Sequence, residues 1–276
     1  MSTQGFHEPA KKHLGQHFLH ERTVIEKIVR AVNPRPGDVL VEIGPGQGAI
    51  TLPLLQAHGE LTVIEFDRDL VGPLAAAAAG TGTLRIIHRD VLSVDFSALA
   101  RELSPGGGRI RLVGNLPYNL SSPILFHALD HAAVLSDMVF MLQKEVVDRM
   151  AAGPGSKVYG RLGVMLQAFC SVTPLFAVPP GAFRPPPKVD SAVVRLVPLP
   201  AGQVLVQDRA LFAQVVREAF GQRRKTLRNA LANTCDAAAI QAAGLSPQAR
   251  AEQVPVEGFI ALANDLQRKG VEPGDA

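Results

Sequence analysis

From residue 37 onward, short runs of β-branched and aliphatic residues alternate with longer stretches whose apolar positions recur at helical spacing. The runs "DVLVEIG" (38–44), "LTVIEF" (61–66), "LRIIHRD" (84–90), "RIRLVGN" (109–115) and "DMVFMLQ" (137–143) are largely apolar, as strands buried on both faces are. Helical segments lie between them, the clearest being "DLVGPLAAAAA" (69–79). This rhythm predicts a parallel sheet flanked by helices, an α/β fold. Next come "FCSVTPLFAV" (169–178) and "SAVVRLV" (191–197), joined by the proline-rich "PPGAFRPPPK" (179–188) with no helix between them. That arrangement predicts an antiparallel excursion at the edge of the sheet. After "PLPAGQ" (198–203) only helical segments remain, at 208–220, 223–233 and 256–267, separated by Gly221, Gly244 and Pro255. The change of pattern places a domain boundary near residue 200, with a domain at 1–200 and a smaller helical one at 201–276. No internal repeat is visible.

Composition narrows the class. The 276 residues are 47% hydrophobic and 19% charged, enough to bury a substantial core in a soluble protein. A net charge of +3 and a pI near 9.0 suggest an anionic partner. Cys170 and Cys235 are the two cysteines, and neither stands at metal-ligand spacing from a His or Cys, so a reduced, cytoplasmic setting is expected. The N-terminal "MSTQGFHEPAKKHLGQHF" has no apolar signal region, and no uncharged run approaches the roughly 18 residues that span a bilayer. The expectation is a protein neither secreted nor in a membrane.

The first strand runs into "VEIGPGQGAIT" (41–51), a strand, glycine turn and helix start. Gly44 and Gly46 let the backbone approach a ligand at the carboxyl end of that strand. Glu65 ends the next strand and is placed to accept hydrogen bonds from both hydroxyls of a ribose. Read as G-x-G-x-x-A, residues 44–49 also satisfy a dinucleotide fingerprint, so an NAD oxidoreductase stays open on this motif alone. Pro45 stiffens the turn, Glu42 precedes it, and Asp90 closes the third strand within reach of an adenine edge. Three acids at or near successive strand ends suit a cationic ligand better than a pyrophosphate. S-adenosylmethionine carries a sulfonium and an ammonium and no phosphate.

The fourth strand ends in "GNLPYNL" (114–120). Pro117 has a locked φ and biases Leu116 toward an extended conformation, which turns the Leu116 carbonyl outward. Asn115 adds a second carbonyl oxygen and Tyr118 a flat ring. An exocyclic amine on a nucleobase is a poor nucleophile because its lone pair is delocalised into the ring. Two acceptors gripping its N–H bonds favour a pyramidal nitrogen, and an aromatic platform holds an unstacked base. No strong base is needed when positioning carries most of the rate and the sulfonium is a good leaving group.

Other features carry less. His13, His17 and His20 cluster in "HLGQHFLH", but Gly15 interrupts any helix there and the proposed chemistry needs no metal. In "GQRRKTLRNAL" (221–231), Arg223, Arg224, Lys225 and Arg228 fall on the opening turns of the expected helix, where cations oppose the helix dipole. A phosphate backbone would neutralise them. Lys11, Lys12, Arg184 and Lys188 would extend that surface if the fold gathers them.

Several motifs together carry a family resemblance: "GQHFL" (15–19), "VEIGPGQGAIT", "IEFDRDL" (64–70), "GNLPYNLSSPIL" (114–125), "QKEV" (143–146), "PGSKVYGRL" (154–162), "FRPPPKVDSAVVRL" (183–196) and "FGQRRKTLRNAL" (220–231). They resemble the bacterial 16S (small-subunit) rRNA adenine N6,N6-dimethyltransferases over nearly the whole chain. The resemblance implies a Rossmann-like class I methyltransferase with a seven-stranded, mostly parallel sheet and a small all-helical C-terminal domain. It implies dimethylation of two adjacent adenosines in the 3′-terminal hairpin loop of 16S rRNA, during 30S subunit biogenesis. Four methyl groups come from S-adenosylmethionine, S-adenosylhomocysteine is the product, and no metal takes part. The partner implied is 16S rRNA within the 30S subunit or its precursor; nothing in the sequence demands a dimer, and a monomer is expected.

Carried onto this chain, the family's cofactor contacts fall on His17, Leu19, Gly44, Glu65, Asp90 and Asn115, with Gly46 in the same turn. The catalytic stretch falls on Asn115, Leu116, Pro117 and Tyr118. Tyr118 with Phe183 is similar to the family's aromatic pair for the target adenine, and Arg223, Arg224 and Lys225 are the RNA-backbone candidates. Many members have Asn where this chain has His17; both side chains donate a hydrogen bond, so the role is expected to survive with some pH sensitivity. The glycine-rich "GPGSKVYG" (153–160) is expected to be a flexible loop near the RNA, chiefly on resemblance. Two other classes remain: the related large-subunit (23S) rRNA methyltransferase of the macrolide-resistance type, and a non-catalytic RNA-binding assembly factor that retains the pocket.

Overall fold

The computed structural model describes residues 11, 16–222 and 224–270. Among the described residues nine strands occur in chain order: β1 (Phe18–Leu19), β2 (Val39–Ile43), β3 (Glu60–Glu65), β4 (Thr83–His88), β5 (Ile110–Asn115), β6 (Leu135–Gln143), β7 (Cys170–Val178), β8 (Phe183–Arg184) and β9 (Ser191–Pro198). Seven make one sheet in the order β4-β3-β2-β5-β6-β9-β7, while β1 and β8 pair antiparallel in a separate ribbon. Strands β2 to β6 run parallel, and β9 runs antiparallel to β6. The crossovers between the parallel strands carry the helices α1 (Arg22–Val32, entering β2), α2 (Thr51–His58), α3 (Arg68–Ala78), α4 (Phe96–Leu103) and α5 (Ser121–Asp130).

Strand chemistry follows position in the sheet. The central strands bury Leu40, Val41, Ile43, Val63, Ile64, Leu112 and Val113 without alternation, because helices cover both faces. β4, at the edge, keeps exposed residues at Thr83, Arg85 and His88. Strand order reverses between β2 and β5, so their carboxyl ends diverge and leave a crevice, the usual ligand position in an open α/β sheet.

The amino-terminal ends of the central strands are locked by Arg111. Its guanidinium donates to Asp137 at 2.7 and 3.0 Å, to Asp38 at 2.5 Å, and to the Val32 carbonyl at 2.7 Å. Arg195 adds a bond to the Ala31 carbonyl and lies 3.5 Å from Asp137. Two arginines thereby satisfy the carbonyls at the end of α1, where a helix favours positive charge. The hydrogen bonds that Arg111 donates to Asp137 raise the pKa of its guanidinium and hold it firmly protonated.

The chain divides into two compact units. One comprises the described residues up to Val147 together with Thr173–Pro198; the other comprises Asp148–Val172 and the described residues from Leu199. The division after Pro198 falls where the sequence pattern changes. The segment 148–172, which a single boundary near residue 200 assigns to the first domain, belongs instead to the second unit. The helices α6 (Lys144–Ala151) and α7 (Arg161–Gln167) explain this: Leu162, Val164, Met165 and Leu166 of α7 are buried and need an apolar partner.

The second unit is built on α8 (Arg209–Gly221), α9 (Leu227–Ala230), α10 (Ala237–Ala242) and α11 (Val256–Arg268). Its core includes Phe212, Val215 and Val216 of α8 with Phe259, Leu262 and Leu266 of α11. The sequence reading expects a helix over 223–233; the structure confines it to the four residues of α9, and Arg224 and Lys225 precede it. Thr226 bridges to Arg250, and the Leu227 N–H bonds the Ala249 carbonyl, so tertiary pairing holds these residues out of a helix. Arg223 lies outside the described residues. The glycine-rich 153–160 segment is pinned: Gly155 N–H donates to the Glu252 carbonyl at 2.7 Å and the buried Tyr159 hydroxyl to that of Val254 at 2.9 Å.

Removing one partner of a buried ionic network leaves the others uncompensated, at roughly 3 kcal/mol or more. Arg111→Met is therefore expected to lower unfolding free energy in urea by about 3 kcal/mol while leaving ligand affinity at the far end of β5 unchanged. A loss below about 1 kcal/mol would show that the network behaves like a surface ion pair.

Candidate active site

The carboxyl ends of β2, β3 and β5 and the turn after β4 surround a cavity of about 250 Å³. The turn after β2 lets the chain double back. Gly44, Gly46 and Gly48 all have positive φ, at 66°, 56° and 81°. A Cβ on Gly46 would lie 3.3 Å from the Phe18 ring, so the absence of a side chain there also admits the β1 segment.

Glu65 faces the cavity from the end of β3. Its two oxygens accept from Gly46 N–H at 3.2 Å and Asp67 N–H at 2.7 Å, which orients the carboxylate. Burial raises its pKa although those backbone donors favour the charged form. Asp90 lies two residues beyond β4 and lines the same cavity; its Oδ1 accepts from Leu92 N–H at 2.9 Å, leaving Oδ2 to a ligand. Glu42 is the most buried acid of the set, 1% exposed, and its Oε2 has no hydrogen-bond partner. Burial pushes its pKa up to about 8, with Glu65 adding like-charge repulsion and the Thr51 hydroxyl offsetting part of the shift.

Asn115 closes β5 directly across the crevice from the glycine turn, its carbonyl 3.8 Å from where a Gly44 Cβ would stand. Gly114, just before it, has no room for a side chain: a Cβ would sit 2.5 Å from the Ile43 carbonyl oxygen. The Asn115 side chain donates through Nδ2 to the His17 carbonyl at 3.1 Å. Its Oδ1 is therefore the end of the amide available to a ligand. Leu116 is buried and its N–H donates to the Met141 carbonyl, fixing the elbow to β6. The Pro117 carbonyl is occupied by the Leu120 N–H and the Ser121 hydroxyl.

Tyr118 is anchored at its far end, where its hydroxyl and Ser191 Oγ at the start of β9 are 2.7 Å apart. Burial raises the phenol pKa, so the ring is a neutral platform. The sequence reading pairs Tyr118 with Phe183. In the structure Phe183 is 2% exposed, in the core with Leu19, Val24, Ile28 and Val178, and does not line the cavity. Burying a phenylalanine ring is worth roughly 2–3 kcal/mol, and the β1–β8 ribbon, pairing Leu19 with Phe183, keeps it inward. The ring that stacks on Tyr118 is His17, with centroids 5.5 Å apart and planes at 28°. His17 Nδ1 also lies 2.8 Å from the Pro185 carbonyl oxygen.

Residues 16–19 thus form a strap along the cavity, with Leu19 buried beneath. Gln16 donates to Asp67 at 2.9 Å, and Lys11 pairs with Asp67 and Asp69 at 2.6 Å each. Lys11 is engaged by these acids, contrary to its expected place on a basic surface; Lys12 and His13 lie outside the described residues. Arg224 and Lys225 are exposed, in the second unit.

Sequence reasoning missed Phe66, 59% exposed beside Glu65 and lining the cavity, whose position just past a buried strand was the available signal. It missed the Ser191 anchor, for which no local signal exists, because the contact joins residues 73 apart.

An α/β sheet with a glycine turn, strand-end acids and an Asn-Leu-Pro-Tyr elbow at its switch point defines a class I methyltransferase fold. The chain matches the family described as ribosomal RNA adenine dimethylase over residues 7–268, and it belongs to that family. It is 71% identical over 259 residues to the ribosomal RNA small subunit methyltransferase A of Xanthomonas campestris pv. campestris, covering 94% of this chain and 97% of that protein. Its counterpart in Xanthomonas axonopodis pv. citri is 72% identical over the same coverage. Among solved structures, a dimethyladenosine transferase from Plasmodium falciparum superposes with a TM-score of 0.80 at 24% identity, covering 94% of this chain and all of that one. The 23S rRNA methyltransferase ErmE gives 0.69 at 25% identity, over 91% and 99%.

Glu42 yields a stability test in the ligand-free protein. A carboxyl whose pKa is raised on folding contributes stability that is complete below the ordinary glutamate range and is lost as pH rises through its folded value, here about 8. Between about pH 5 and about pH 8, wild-type Tm should fall relative to that of Glu42→Gln, in parallel thermal melts. Parallel pH profiles for the two proteins would contradict a neutral, buried Glu42.

Proposed function

We propose that this protein dimethylates N6 of two adjacent adenosines in the 3′-terminal hairpin loop of 16S rRNA, using S-adenosylmethionine, during 30S subunit biogenesis. The observation that carries the reading is the Asn115 amide, whose Nδ2 is committed to His17 so that Oδ1 faces the ligand space. The residues present fit the cofactor. Glu65 would hold the ribose hydroxyls, Asp90 and Phe66 the adenine, and the strap residues His17 and Leu19 the methionine end, all of them residues that line the cavity. The orphan oxygen of buried Glu42 marks a site made for a positive group rather than a pyrophosphate. When bound, the cofactor supplies an electrophilic methyl group on a positively charged sulfur.

This chain's own residues then do three things. Asn115 Oδ1 and the Leu116 carbonyl accept the two N6 hydrogens and favour a pyramidal nitrogen. Tyr118, pinned by Ser191, stacks the base and sets the approach direction. The rigid elbow, tied to β6 through Leu116 N–H, holds these groups in place before the substrate arrives, so that little reorganisation opposes the reaction. With its pKa raised by burial, the Tyr118 phenol stays neutral and serves as a platform, not as a base. Arg224 and Lys225 contribute to phosphate-backbone binding, with Arg223 adjoining them in sequence. The domain assignment follows: residues 1–200 bind cofactor and catalyse, apart from the 148–172 segment, and the helical remainder engages RNA. The protein acts in the cytoplasm as a monomer. No described helix is long and apolar enough to cross a membrane.

The alternative, 23S rRNA methylation of the ErmE kind, has the weaker support, since 71–72% identity falls on small-subunit enzymes and 25% on ErmE. The test is methyl transfer to unmethylated 30S subunits and to 23S rRNA. Wild type should modify 30S alone, and Asn115→Ala should transfer about 10²–10³-fold more slowly in single turnover. Arg224→Ala with Lys225→Ala should weaken RNA binding and flatten its salt dependence with cofactor affinity intact. Transfer to 23S rRNA, or near wild-type activity in Asn115→Ala, would overturn the assignment.

A further inference from the structure

We infer that Glu42 sits uncharged in the ligand-free protein and surrenders its proton when a cationic centre of the cofactor, sulfonium or ammonium, enters the cavity beside it. The inference deepens the reading above and rests on it: cofactor binding becomes a proton-releasing step. Glu42 is the penultimate residue of β2, one residue before the turn whose glycines let a ligand approach. It is 1% exposed, lines the cavity, and carries a carboxyl oxygen without a partner. Beside it stands Thr51, fully buried at the start of α2, whose hydroxyl offsets part of the rise in the Glu42 pKa. A buried carboxyl oxygen left without a partner at a cavity is costly to keep unless something entering the cavity satisfies it.

The surroundings decide the charge state. The other titratable groups lining the cavity are His17 on the strap, Glu65 and Asp67 at and beyond the end of β3, Arg89 and Asp90 after β4, and Tyr118 after β5. Glu65 is of the same sign and repels an ionised Glu42. Asp67 is answered by Lys11 and Gln16, and Asp90 by the Leu92 N–H. Neither His17 nor Arg89 has a hydrogen bond to Glu42, so no cation among the described residues compensates it. For so buried a carboxyl with no compensating cation the neutral acid is then the stable form, and the pKa near 8 agrees. A cation placed at the orphan oxygen reverses the balance. The carboxyl O–H bond breaks, the proton passes to solvent, and the carboxylate stays behind as the counter-charge.

The arrangement also bears on turnover. Methyl transfer converts the sulfonium to a neutral thioether. If the sulfonium is the partner, Glu42 loses its counter-ion at that moment and takes a proton back, which loosens the product relative to the substrate. If the ammonium is the partner, substrate and product hold Glu42 ionised alike.

Isothermal titration calorimetry of the full-length protein in buffers of different ionisation enthalpy reads proton release directly. At neutral pH, wild type should release close to one proton more per S-adenosylmethionine bound than Glu42→Gln does, and this difference should vanish above about pH 9. Affinity of wild type should rise by up to about tenfold per pH unit below pH 8 and then level off, relative to the variant. S-adenosylhomocysteine keeps the ammonium but lacks the sulfonium, and methylthioadenosine lacks both. Release with S-adenosylmethionine alone supports the sulfonium as partner, and release with S-adenosylhomocysteine as well supports the ammonium. The same release with methylthioadenosine, or equal release by wild type and Glu42→Gln, overturns the inference. Binding of S-adenosylmethionine without that difference would overturn it while leaving the cofactor assignment standing; failure to bind at all would overturn both.

Discussion

The hydrogen bond from Asn115 Nδ2 to the His17 carbonyl, 3.1 Å long, joins the end of a central strand to the strap that borders the cavity. An amide has one donating and one accepting end, so committing the nitrogen fixes which end a ligand meets. The same bond ties the acceptor to the ring above it, because His17 stacks on Tyr118. Acceptor, platform and strap are one connected piece of structure. Its position is inherited from the sheet: β5 lies beside β2 at the switch point, and Gly114 allows the two strand ends to come within contact.

Around that piece the electrostatics run in one direction. Of the four carboxyl groups lining the cavity, Asp67 is paired with Lys11, and the other three differ in burial. Asp90 is exposed, Glu65 is buried with two backbone donors, and Glu42 is buried with an oxygen unpartnered. Burial raises the pKa of Glu65 and of Glu42. The distant Arg111 cluster shows the contrast, since there the buried Asp137 and half-buried Asp38 meet guanidinium groups and need nothing from outside. Those three cavity acids lack such partners, and that shortage is what a positively charged ligand answers.

Much of this was legible in the chain itself, and the failures share a cause. The five parallel strands announced themselves because strands buried on both faces must be apolar throughout, and the glycine turn because positive φ needs glycine. Glu65, Asp90 and Asn115 were visible as polar residues ending apolar runs. Phe183 could not be placed that way, since a phenylalanine in a proline-rich loop looks the same whether it faces a cavity or the core; the β1–β8 pairing decides it. The stretch at 223–233 has helical composition, yet a bridge from Thr226 to Arg250 confines its helix to 227–230. The grouping of 148–172 with the C-terminal helices, and the Ser191 anchor of Tyr118, depend on partners far along the chain. Local pattern reports what a residue needs, whereas the long-range partner that meets the need appears only in the folded structure.

The claim that two carbonyl oxygens aim the adenine nitrogen is tested most directly by a crystal structure of the protein with S-adenosylhomocysteine and an adenosine-bearing RNA hairpin. The target N6 should lie about 3 Å from both Asn115 Oδ1 and the Leu116 carbonyl oxygen, facing the cofactor sulfur. An N6 bound elsewhere, with the 114–118 elbow turned away from the sulfur, would contradict it.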